Sequence, residues 1–169
     1  MEKPIIAVTM GDPAGIGPEI VAKSIADKAT YDVARCIVIG DKKVMEKAIE
    51  IVGADLKVNV VESPADGDYS YGVLNMIDLD NIDMSMFEYG KINAMCGQAA
   101  FDYIKKSIEI TMDKQADAVA TTPINKESLH AAEVDFIGHT EIFGALTGTA
   151  DPLTMFETNG LRVFFLTRH

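Results

Sequence analysis

Four short segments carry residue types that could bind or transform a small polar molecule. Gly11-Asp12-Pro13-Ala14-Gly15-Ile16-Gly17-Pro18-Glu19 stands between an apolar run and a helical pattern. Its glycines would let backbone amides approach a ligand with no side chain in the way. The helix start beyond them would offer unpaired N–H groups to an anion. The segment departs from the dinucleotide fingerprint, because Ile20 stands where the third glycine belongs, and from the P-loop, because no Gly-Lys-Ser/Thr follows. A plain tight turn between strand and helix explains it equally well. Thr121-Thr122-Pro123-Ile124-Asn125-Lys126-Glu127 gathers hydroxyls, an amide and an ammonium directly after an apolar strand. Lys126 is the candidate catalytic residue: it can hold a phosphate or carboxylate as a point charge, or transfer a proton if desolvation lowers its pKa. The alternative is a helix start capped by Asn125, with Lys126 in solvent. Gly138-His139-Thr140-Glu141 sets an imidazole beside a hydroxyl and a carboxylate, groups that hydrogen-bond a substrate or move a proton near neutral pH. His169 stands at the end of an apolar stretch and is the candidate metal ligand. The chain has only three histidines, and His130 reads as an exposed helical position. A catalytic zinc site usually takes three protein ligands, so the chain does not easily build a three-histidine site alone.

The elements that must position these residues follow from periodicity. Residues 5–10, 36–39 and 118–120 are short apolar runs that end in turn residues, as buried strands do. Residues 56–60 alternate, and 73–77 and 161–166 read as further strands. Pro18 suits the first turn of a helix that continues through Ile20, Val21 and Ile25. Val44, Met45, Ala48, Ile49 and Val52 mark one face of another helix, which Gly53 can cap. A long helix is expected over 94–112, and short ones near 126–132 and 141–146; the acidic, Met-rich stretch 78–87 reads as a loop. Strands apolar on both faces and alternating with helices point to one continuous α/β unit over 1–169, with a mostly parallel sheet covered by helices. The chain stops just after its last expected strand, so it is expected to be a fragment or a truncated product, because ligand-binding loops normally follow such strand ends.

Composition excludes several classes. A chain of 169 residues with 48% hydrophobic and 24% charged residues is globular rather than disordered. A formal net charge of −11 with no basic run disfavours nucleic acid and an anionic membrane surface. The apolar runs are far shorter than a membrane span, and residues 1–4 lack a signal-peptide layout. Cys36 and Cys96 are expected to be buried, reduced thiols. A cytoplasmic protein fits these features.

In order, Gly-Asp-Pro-Ala-Gly-Ile-Gly-Pro-Glu at 11–19, Thr-Pro-Ile-Asn-Lys-Glu at 122–127, Gly-His-Thr-Glu at 138–141 and Leu-Arg-Val…Thr-Arg-His at 161–169 resemble the 4-hydroxythreonine-4-phosphate dehydrogenase (PdxA) family. The resemblance covers the whole chain. It implies a three-layer α/β/α fold like that of isocitrate and isopropylmalate dehydrogenases, in chains about twice this long that form homodimers. This chain then corresponds to the N-terminal half. The resemblance further implies NAD as cofactor and a divalent metal (Zn, Mg or Co). The implied reaction is oxidation of 4-hydroxythreonine 4-phosphate followed by decarboxylation, in pyridoxal phosphate biosynthesis. A subgroup with similar motifs oxidises D-threonate or D-erythronate 4-phosphate, and a catalytically inactive fragment or assembly partner is the non-enzymatic alternative. Carried over by position, His139 and Thr140 match the family's substrate-binding pair, and His169 the first of its three metal-binding histidines.

Overall fold

The computed structural model describes residues 2–165. Residues 5–120 carry a sheet whose central strands are buried on both faces. β1 (Ile5–Thr9), β2 (Arg35–Gly40), β3 (Lys57–Val60), β4 (Val73–Asp78) and β5 (Ala118–Ala120) form a parallel sheet in the order β3-β4-β2-β1-β5. In β2 the consecutive residues Ile37, Val38 and Ile39 are all fully buried. Both faces of the sheet are therefore covered, and a continuous apolar run rather than an alternating one is what such a strand requires. Register places Ala7 opposite Ile37 on one side and Val119 on the other.

The helices are started and stopped by local chemistry. α1 (Gly17–Ala26) begins with Pro18 in its first turn, and no side chain caps it. The short α2 (Lys28–Val33) was not expected from periodicity; it buries no residue and rests on the Asp27 cap. α3 (Lys42–Val52) starts at Asp41, whose carboxylate accepts from the amides of Lys43 and Val44, and ends at Gly53 in the left-handed conformation, φ 66°. α4 (Ala94–Met112) covers the expected range and is capped by Asn93. It buries Cys96, Ala99, Tyr103 and Ile104 and packs on β1, β2 and α5 (Lys126–Ala131). α1 packs on α3 instead, so the two helix pairs form separate layers. α6 (His139–Thr147) is held to α4 by Ile104, Ile108 and Ile142, with Phe101 and Phe136 stacked at 5.8 Å.

One strand expectation needs correction, and another strand lies in a second sheet. β5 is not buried: Ala118 and Ala120 are exposed, because it forms the edge of the sheet. The strand expected within 161–166 is present as β7 (Leu161–Phe164), and it pairs antiparallel with an unexpected β6 (Met155–Thr158) in a separate two-stranded sheet, outside the parallel one. Asn159 and Gly160 turn the chain with φ 47° and 79°. Asn-Gly with both central residues at positive φ is the preferred two-residue hairpin connection. Its presence between two apolar segments is the local signal for β6, which periodicity alone did not mark.

Among the described residues no helix is long and apolar enough to cross a membrane. Both cysteines are free thiols; Cys96 is buried and Cys36 half-buried. Burial pushes the Cys96 thiol up to about 11, so it is an inert core residue rather than a nucleophile.

Candidate active site at the carboxyl ends of β1 and β5

The neighbouring ends of β1 and β5 are stitched together before their loops diverge into α1 and α5. The Thr122 hydroxyl donates to the Thr9 carbonyl at 2.9 Å, and the Asp12 amide donates to the Pro123 carbonyl at 3.0 Å. Gly11, at φ 75°, leaves no room for a side chain: a Cβ there would lie 2.4 Å from the Pro123 oxygen. Above this seam lies an open cavity of about 530 Å³, walled by Asp12, Gly15, Ile16, Gly90, Lys91 and Lys126, among others. Crevices outside the carboxyl ends of parallel strands are where open α/β sheets bind ligands.

A second cavity, of about 430 Å³, adjoins it and shares Pro123, Ile124 and Lys126 as a common wall. Its other side is the start of α6: Gly138, His139, Thr140 and Glu141. No side chain caps that helix, so its first amides and the positive end of its dipole face the cavity region. His139 Nε2 is buried there without a hydrogen-bond partner among the described residues. Burial also lowers the imidazole pKa, favouring the neutral ring. A buried ring nitrogen lacking a partner is a group awaiting one, since unmade buried hydrogen bonds are costly.

The structure thus brings Lys126, His139 and Thr140 to one pair of cavities. Asn125 does what its alternative reading expected: its carboxamide oxygen caps α5, accepting from the amides of Glu127 and Ser128. Lys126 is exposed at the first position of α5, where it lines both cavities. His169 lies outside the described residues. Among the described residues no group of three or more His, Cys, Asp or Glu side chains is arranged to hold a metal ion.

Sequence reasoning missed Gly90 and Lys91. They belong to the loop before α4, which the Gly90 amide ties to the Ala14 carbonyl at 2.8 Å. No motif marks them; a tertiary hydrogen bond brings them in. Asp12 appeared in the first motif without a contact. The residue is only 3% exposed, and its carboxylate accepts from the Ala14 amide at 2.8 Å and lies beside the Ser128 hydroxyl. Burial pushes its carboxyl above the usual value, opposed by those two groups.

Known proteins share this arrangement of segments. A family model described as "Pyridoxal phosphate biosynthetic protein PdxA" matches residues 32–169. A protein of Fusobacterium nucleatum named "Putative D-threonate 4-phosphate dehydrogenase" is 57% identical over 97% of this chain and 49% of its own length. One of the same name from Symbiobacterium thermophilum is 56% identical over 99% of this chain and 50% of its own length. The crystal structure of a 4-hydroxythreonine-4-phosphate dehydrogenase from Burkholderia phymatum superposes with a TM-score of 0.93 at 39% identity, over 97% of this chain and 49% of that one. The chain spans about half the length of the relatives it matches. With the family model covering most of its length and its fold matching that of a solved member, this chain belongs to the PdxA family.

Proposed function

We propose that this chain supplies the substrate- and cofactor-facing half of an NAD-dependent dehydrogenase that acts on a phosphorylated hydroxy acid. The observation that supports this reading is the pair of cavities that share the Pro123–Ile124–Lys126 wall. A dehydrogenase must hold its two reactants side by side, because a reactive geometry removes most of the entropy of their encounter. The cavity at the start of α6 suits the anionic substrate. The α6 amides and the Lys126 ammonium attract its phosphate or carboxylate, and His139 Nε2 gains the partner it lacks. The larger cavity, with Gly15 and Gly90 in its wall, suits part of the dinucleotide. NAD, when bound, supplies the hydride acceptor. Lys126, on the common wall, holds the substrate's negative charge.

Identity is higher to the proteins named for D-threonate 4-phosphate, 57%, than to the solved 4-hydroxythreonine-4-phosphate dehydrogenase, 39%. D-Threonate 4-phosphate is therefore the favoured substrate, with 4-hydroxythreonine 4-phosphate the second reading. The divalent cation that the resemblance implies would need ligands from outside the described residues, because those residues make no metal site by themselves. A cytoplasmic homodimer without nucleic-acid or membrane partners completes the proposal, in keeping with the net charge of −11.

Calorimetric titration of the chain with D-threonate 4-phosphate, 4-hydroxythreonine 4-phosphate and NAD, alone and in pairs, tests the reading, with NADH formation followed in parallel. The sugar-acid phosphate is expected to bind, and Lys126→Ala to weaken binding about tenfold, the loss of one charge-assisted hydrogen bond. Binding without NADH formation would favour a chain that needs a second polypeptide for turnover. No binding of either phosphate, or binding indifferent to Lys126→Ala, would defeat the assignment of the cavity.

A further inference from the structure

Asp12 is a buried carboxylate that the reaction proposed above does not use. Its surroundings explain its presence. The loops that wall the larger cavity come from three places in the chain: 12–16 after β1, 90–91 before α4, and 123–127 after β5. All three converge on Asp12. Its carboxylate holds the Ala14 amide at 2.8 Å, and Ala14 in turn accepts the Gly90 amide at 2.8 Å. The hydroxyl of fully buried Ser128 lies beside the carboxylate, where it favours the charged form, and it accepts the Asn93 amide at 3.4 Å. Its own backbone amide holds the Pro123 carbonyl at 3.0 Å. Ser128 lies two residues beyond Lys126 on the same short helix.

We infer that Asp12 is a positioning residue: through Ala14 and Ser128 it fixes the three cavity loops relative to one another, and thereby sets where Lys126 stands between the two cavities. The role of Lys126 in this inference rests on the proposed function; the fixing of the loops does not. Shape rather than charge is what the role needs. An asparagine could accept the Ala14 amide through its oxygen and donate to the Ser128 oxygen, which has a second lone pair free beside the Asn93 contact. An alanine could do neither.

The test compares Asp12→Ala, Asp12→Asn and Ser128→Ala with a core control, Ile25→Val, by amide hydrogen exchange and by titration with inorganic phosphate. Asp12→Ala is expected to speed exchange at Ala14, Gly90 and Asn93 beyond what the control does at equal global stability. It should also weaken phosphate binding about tenfold, the loss typical of outer hydrogen-bond partners. Asp12→Asn is expected to restore both, and Ser128→Ala to speed exchange at Asn93. Exchange in Asp12→Ala equal to that of the control, or no rescue by asparagine, would overturn the inference. If Asp12→Ala fails to fold, the asparagine and Ser128→Ala variants decide between the same outcomes. Absence of phosphate binding in the unmodified chain would count against the proposed function, while the exchange data would still decide the role of Asp12.

Discussion

Glycine-to-alanine changes inside helices normally stabilise, by about 1 kcal/mol, because alanine restricts the unfolded chain and fits the helix better. Gly97, in the first turns of α4, should show the opposite sign. A Cβ there would lie 1.9 Å from the Ser128 carbonyl oxygen, 2.3 Å from its carbon and 2.8 Å from the Leu129 nitrogen. These are backbone atoms of α5, so no side-chain rotation relieves the clash. Restoring even a 3.0 Å contact requires α5 to withdraw by about 1 Å, and interiors packed at crystal density resist such shifts. Overpacking of this kind costs about 1–3 kcal/mol, and this contact is at the severe end. Set against the helix gain of about 1 kcal/mol, Gly97→Ala should destabilise by about 2 kcal/mol. Urea unfolding followed by circular dichroism would show a lower midpoint at unchanged slope. Because α5 carries Lys126, phosphate binding should weaken in the same variant. A midpoint equal to or above that of the unmodified chain would refute the close approach of α4 and α5, and with it the geometry assigned to the common cavity wall.

Three further outcomes follow from the same packing. Burial lowers the His139 pKa from its ordinary value of 6.5, so the unfolded chain binds the proton more readily. The contribution of His139 is intact above about pH 6.5 and declines as pH falls from there toward the folded-state pKa; His139→Gln should flatten that part of the stability profile, and an NMR titration midpoint at or above 6.5 would contradict it. Asp41 is fully buried and its carboxylate accepts from the amides of Lys43, Val44 and Ile82, so Asp41→Ala should cost about 2–3 kcal/mol in urea unfolding; a loss below about 0.5 kcal/mol would show that these amides find other partners. Gly160, at φ 79° with open space around it, should accept alanine sterically but at a cost of about 1 kcal/mol in backbone strain, seen as faster amide exchange confined to β6 and β7; unchanged exchange there would argue against the Asn-Gly turn.

Much of the fold was legible because its signals are local. The apolar runs at Ile5–Thr9 and Arg35–Gly40, the helix over Ala94–Met112 and the Gly53 cap all follow from periodicity, turn chemistry and capping, which act within a few residues. Failures occurred where several signals competed. At Leu161–Phe164 the expected strand is present, but the Asn159-Gly160 turn pairs it antiparallel with Met155–Thr158, a strand that periodicity did not mark. At Ala118–Ala120 composition suggested burial, but exposure depends on which strands and helices flank a segment, and that is a tertiary property.

The candidate site divides along the same line. The sequence alone determined which chemistry is available: a lysine after a strand end, a His-Thr pair at a helix start, and glycines after the first strand, in an order shared with a family of dehydrogenases. Their spacing along the chain is set by local turns and caps, so it can be read from neighbouring residues. Only the tertiary structure decided that Lys126 stands on a wall common to two cavities, that Gly90 and Lys91 complete one of them, and that Asp12 lies beneath as the junction of three loops. Those relations join residues tens of positions apart through parallel strand pairing and the packing of α4 against α5, and such long-range contacts leave no pattern in a single stretch of sequence.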